Sequence, residues 1–117
     1  MILEDGIKFI DEETGDELIF NFRTWLEVIK GIIVKYANKT EEEAIDLING
    51  KNFISPKSYT QAVFYSHEIE YHWAMLTVYK DGYWLKGNSS IEPEDYSKWE
   101  KEYRFKNSLK EESFEFI

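Results

Sequence analysis

Cysteine is missing from the 117 residues. Disulfides, thiolate metal sites and a cysteine nucleophile are therefore excluded, and the absence fits a reducing compartment. Histidine is confined to His67 and His72, too few for a histidine-rich metal centre. No apolar run approaches the roughly 18–20 residues of a membrane-spanning helix. The start, Met1-Ile2-Leu3-Glu4-Asp5, lacks the basic opening of a secretory signal. A soluble cytoplasmic chain is expected. With only Pro56 and Pro93 there is no proline-rich linker, and repeats and low-complexity tracts are also missing. Residues 1–117 read as one domain. Gly50, Gly82 and Gly87 are isolated, so no phosphate-cradling loop exists, and no Gly-x-Ser-x-Gly elbow is present.

Positive charge is also scarce. Fourteen Lys and Arg stand against 23 Asp and Glu, for a net charge of −9. Nucleic acid and anionic membranes are recognised by cations, so neither is expected as a partner. The surplus acid is unevenly spread. Residues 1–20 hold seven acids against Lys8 alone, and residues 91–117 hold eight against five bases, while 51–90 are nearly neutral. Lysine outnumbers arginine 12 to 2, a usage consistent with AT-rich coding in a bacterium or its phage.

Apolar side chains are plentiful, at 43% with 17% aromatic, enough for a packed core in a chain of this length. Ile7-Lys8-Phe9-Ile10 and the run from Glu17 to Phe22 flank the polar, glycine-containing stretch 11–16, which predicts a hairpin. Trp25, Val28, Ile29, Ile32, Ile33 and Tyr36 recur at helical spacing and predict a helix over 24–37, capped by Thr24 or Asn21. Gly31 inside it weakens the helix by about 1 kcal/mol relative to alanine and points to close packing. Thr40-Glu41-Glu42-Glu43 spells a capping box for a second helix stopped by Gly50. Ser55-Pro56 predicts a short third helix to about Tyr65, with a strand at 62–65 as the competitor. Tyr71–Lys80, rich in aromatic and β-branched residues, predicts a central strand, turning at Lys80-Asp81-Gly82 into Tyr83-Trp84-Leu85-Lys86. A loop follows at 87–90. Pro93 opens a final helix to about 107, striped by Tyr96, Trp99 and Tyr103. Phe114 and Phe116 alternate with Glu115, which predicts an edge strand. The expected class is α+β, a small antiparallel sheet with three or four helices packed on it.

The string His67-Glu68-Ile69-Glu70-Tyr71-His72 resembles a zinc-protease motif only superficially. Its histidines are five apart, about 140° around a helix, and cannot face one ion. No metal or cofactor is expected. A small pocket built from His67, Glu68, Glu70 and Tyr71 is the enzyme or ligand-binding alternative.

With no catalytic signature, the expected function is binding. Acid at both ends and a dense aromatic middle suit a protein that neutralises a basic partner. A bacterial immunity protein against a toxin domain, for instance a nuclease, fits this profile. A phage inhibitor of a host enzyme follows the same physics. The expected contact residues are Glu12, Glu13, Asp16, Glu17, Glu68 and Glu70 for charge, with Tyr83 and Trp84 as anchors.

Overall fold

A computed structural model of the chain describes residues 4–51, 53, 55–80, 83 and 92–117. Among these residues the order is β1 (Ile7–Ile10), β2 (Glu17–Phe20), α1 (Phe22–Tyr36), α2 (Glu41–Lys51), α3 (Tyr59–Ser66), α4 (Glu70–Tyr79), α5 (Tyr96–Lys106) and β3 (Phe114–Phe116). The fold is α+β. The three strands form one antiparallel sheet in the order β1-β2-β3.

The hairpin and the edge strand follow from alternation. Ile7 pairs with Phe20, Phe9 with Leu18, and Phe20 in turn with Phe114. Directly paired residues share a face, so these side chains form one apolar surface. The opposite face carries Lys8, Ile10, Glu17, Ile19 and Glu115. The Phe20 ring stacks on Phe114 at 4.6 Å and meets Trp25 edge-on at 5.7 Å.

α1 is the central column. It packs against α4, α2 and α5, and its stripe of Trp25, Val28, Ile29, Ile32 and Ile33 is fully buried. Trp25 also touches Phe53, Tyr65 and Trp73. Its start is held from outside the helix. The Thr24 amide and hydroxyl donate to the Asp5 carboxylate at 2.8 and 2.9 Å. Asn21 sits at the N-cap, but its side chain makes no capping bond. It accepts from the Gly6 amide and donates to the Glu112 carbonyl and the Glu115 carboxylate. One buried amide thus ties both terminal segments to the head of α1. The capping box of α2 forms as read: the Glu43 amide donates to the Thr40 hydroxyl and the Thr40 amide to the Glu43 carboxylate.

The largest correction concerns residues 70–79, which form a helix rather than a central strand. α4 is apolar nearly all round, which identifies a buried helix. Tyr71, Trp73, Ala74, Met75 and Thr77 are all buried in it. The Thr77 hydroxyl donates to the Trp73 carbonyl at 2.7 Å, a bond to the fourth preceding residue that satisfies a buried hydroxyl within a helix. This element raises the helix count above the three or four expected.

Three smaller differences stand beside it. α3 starts at Tyr59 and is capped by the Ser58 hydroxyl, which accepts from the Gln61 amide; Pro56 is buried ahead of it. α2 runs through Gly50 to Lys51. α5 begins at Tyr96, three residues after Pro93. The expected turn at Asp81-Gly82, the strand through Trp84-Leu85-Lys86 and the loop at 87–90 lie outside the described residues.

Candidate functional site

The β1–β2 connection is a short acidic loop shaped by its own bonds. The Asp11 amide donates to the Asp16 carbonyl and the Gly15 amide to the Asp11 carbonyl, both at 2.8 Å. The Asp11 carboxylate accepts from the Glu13 amide at 2.9 Å, and the Thr14 hydroxyl accepts from the Asp16 amide at 3.2 Å. Gly15 sits at φ +80°, where a side chain would be strained. The amides of residues 11, 13, 15 and 16 are therefore satisfied within the loop, and the side chains of Glu12, Glu13 and Asp16 are exposed. Among the described residues none of these three carboxylates has an ion-pair partner. Glu17 differs, being half-buried and paired to Lys8 at 2.7 Å.

The register places apolar groups beside this loop. Ile10 is paired with Glu17, and Phe116 with Leu18. The Ile117 amide donates to the Glu17 carbonyl. Ile10, Phe116 and Ile117 therefore lie at the same end of the sheet as the acidic loop. They are 55%, 61% and 69% exposed, respectively. Three carboxylates without ion-pair partners among the described residues and three exposed apolar side chains thus share the hairpin end of the sheet, with Ile10 on its outer face and Phe116 on its core-side face.

The other expected contact residues fall elsewhere. Glu68 is exposed in the α3–α4 turn, next to exposed Phe64 and Ile69. Glu70 is not on the surface. It lies at the start of α4 with its carboxylate 3.8 Å from the Arg104 guanidinium, which also bonds Glu100 at 2.9 Å. Burial pushes the Glu70 carboxyl above its usual range, against the opposing pull of Arg104. Arg104 is itself buried, and it donates further to the Lys110 carbonyl and the Ser113 hydroxyl. Tyr83, expected as an exposed anchor, is fully buried, with its hydroxyl 2.7 Å from His72 Nδ1. Burial raises the Tyr83 hydroxyl pKa. Trp84 lies outside the described residues.

The residues of the enzyme alternative have different surroundings. His67 ends α3 and is exposed, as is Glu68. Glu70 faces Arg104, while Tyr71 is buried against Tyr36 and Tyr96. Among the described residues no group of three or more His, Asp or Glu side chains is placed to hold a metal ion. No helix among them is long and apolar enough to cross a membrane.

Sequence reasoning placed the loop carboxylates but missed Ile10, Phe116 and Ile117. The signal was available in part: alternation along Ile7–Ile10 that turns Phe9 inward turns Ile10 outward. The exposure of Phe116, on the core-side face yet beyond the core, follows only from the packing. No protein-family model, curated protein or solved structure matches the chain.

Proposed function

We propose that the chain is a binding protein whose hairpin end docks onto a cationic protein surface and neutralises it. This is the behaviour of a bacterial immunity protein against a basic toxin such as a nuclease. The observation that carries the reading is the coexistence, at one end of the sheet, of Glu12, Glu13 and Asp16 without ion-pair partners among the described residues and of exposed Ile10, Phe116 and Ile117. A phosphate-handling active site is cationic, and unpaired carboxylates on a pre-shaped loop would steer toward it. The neighbouring apolar groups supply the desolvated contact that slows dissociation. The loop is closed by internal bonds before any partner arrives, which lowers the ordering cost of association.

The test begins with capture of the partner from the source cell at low salt and its elution by a salt step. Association and dissociation rates are then measured for the wild type, for Glu12→Gln/Glu13→Gln/Asp16→Gln and for Ile10→Ser/Phe116→Ser. The neutralised loop should slow association, with the deficit shrinking as salt rises. The apolar double variant should mainly speed dissociation. A partner bound equally well by all three proteins would remove this surface from the interaction, and with it the proposal.

A further inference from the structure

A second surface lies at the C-terminal end of α5. Tyr96, Trp99 and Tyr103 turn inward, whereas Phe105 is nine residues beyond Tyr96 and falls about 180° around the helix from it. Phe105 is 88% exposed, the most exposed large apolar side chain among the described residues. The helix then ends in a tight reversal. The Leu109 amide donates to the Arg104 carbonyl at 2.8 Å and the Ser108 amide to the Phe105 carbonyl at 3.2 Å, with Ser108 at φ +54°. This is the paired bonding of a Schellman ending. It folds residues 109–112 back beside the last turn of α5 and opens a groove of about 740 Å3 between them.

The groove has two unlike walls. The helix wall carries Lys101 and Phe105. The returning chain carries Leu109, Lys110, Glu111 and Glu112, one cation against two carboxylates. Arg104 forms part of the lining, but its guanidinium is occupied by Glu100, Glu70, the Lys110 carbonyl and Ser113. A protruding aromatic therefore stands directly beside a concavity, with Lys101 on the helix wall and a net negative charge, Glu111 and Glu112 against Lys110, on the returning wall.

We propose that two copies of this chain pair about a two-fold axis at this groove, each Phe105 seated in the groove of the other. A closed, isologous dimer needs a self-complementary patch, and a knob beside its own hole supplies one. The two-fold axis also sets the Lys101 wall of one copy against the Glu111–Glu112 wall of the other, twice. The two rings supply about 300–500 Å2 of buried area. A stable interface needs roughly 1,000 Å2, so closure of the helix and chain walls must supply the rest. Copies carrying −9 each repel at long range, and about 0.15 M salt limits that repulsion to roughly 8 Å.

Sedimentation velocity of the full chain from 5 to 500 µM (about the range for a modest dimer) at 0.15 M salt tests this directly. The wild type should shift from monomer to dimer and no further. Phe105→Asp should remain monomeric with an unchanged circular dichroism spectrum, since the side chain it replaces is solvent-exposed. Lys101→Glu alone and Glu111→Lys/Glu112→Lys alone should each weaken self-association at least tenfold, because each makes both walls alike. Mixing the two charge variants should restore a heterodimer, because each then faces its complement. A wild type that stays monomeric overturns the proposal, whether or not it binds another protein there. So does dimerisation of Phe105→Asp, a mixture that fails to pair, or open-ended assembly. None of these outcomes bears on the hairpin end, whose variants are read against a different partner.

Discussion

Gly31 on α1 lies directly against the Tyr103 ring of α5, and a methyl group placed there tests the packing directly. A Cβ at position 31 would lie 2.5 Å from Tyr103 Cζ and 2.9 Å from Cε1 and Cε2. Carbon atoms prefer about 3.5–4.0 Å, so the ring must retreat by about 1 Å. Behind it stands Trp99, stacked at 4.8 Å between centroids, and Trp99 is in turn lodged against Tyr36 and Tyr96. Compressing this stack costs about 1–3 kcal/mol, as overpacked cores do. Swinging the half-buried Tyr103 outward instead forfeits about 0.5–1.5 kcal/mol of stacking plus its buried area. Alanine returns about 1 kcal/mol through helix propensity. Gly31→Ala should therefore destabilise the chain by about 1 kcal/mol, or about 3–6 °C in Tm for a domain of this size. In a Tyr103→Ala background the obstacle is gone, and the same substitution should stabilise by about 1 kcal/mol. Urea unfolding of the four proteins gives the coupling energy, expected near 2 kcal/mol. A stabilised single variant, or coupling below about 0.5 kcal/mol, would refute the close-packed geometry.

Two further perturbations address other parts of the fold. Glu70→Gln should stabilise the chain or leave it unchanged near neutral pH, rather than cost the roughly 3–5 kcal/mol expected when one partner of a buried ion pair is deleted. Arg104 retains Glu100, and the Glu70 carboxyl, raised by burial, binds its proton more tightly folded than unfolded. Its contribution is therefore present below the ordinary glutamate value and lost as pH rises through the raised one. The wild type should lose ground to the variant from about pH 4.5 upward, and urea midpoints across that range that run parallel would contradict the assignment. Ser108→Gly should raise stability by about 0.5–1 kcal/mol. The left-handed conformation at φ +54° costs a residue with a side chain about 1–2 kcal/mol, of which glycine's greater unfolded freedom takes back part. A lowered Tm would mean that the serine side chain does more than occupy the turn.

What could be read in advance divides along physical lines. The capping box at Thr40–Glu43 is local chemistry, complete within four residues, and it forms as written. The hairpin and the Phe114–Phe116 strand depend on period-two alternation and a glycine at positive φ, also local signals. Gly31 inside an apolar helical stripe marks close packing by itself, and Tyr103 is the ring it meets. Residues 70–79 misled because both strand faces and the whole helix circumference are apolar, so periodicity carried no information. Length was the better guide, since a ten-residue apolar run exceeds the common strand and suits a helix. At the hairpin end the carboxylates were visible in composition. The fate of Glu70 was not, because Arg104, 34 residues away, draws it inside. Tyr83 was expected outside because aromatic content says nothing about which rings a helix at 70–79 would cover.

The polarity of β2 separates the two surfaces. Its first residue, Glu17, adjoins the acidic loop and accepts from the Ile117 amide, whereas Asn21, just past its end, donates through its amide to Ser113. Four residues of extended chain put about 13 Å between those points. Residues 109–112, which line the Phe105 groove, lead into Ser113 at the Asn21 end of β2, and the acidic loop lies at the other end. Docking at one loop shares no residue with the dimer contact or with docking at the other loop, so the free energies should add without coupling. If both proposals hold, dimerisation changes how many cationic partners one assembly holds, two in place of one, and leaves the strength of each contact as the hairpin end alone sets it.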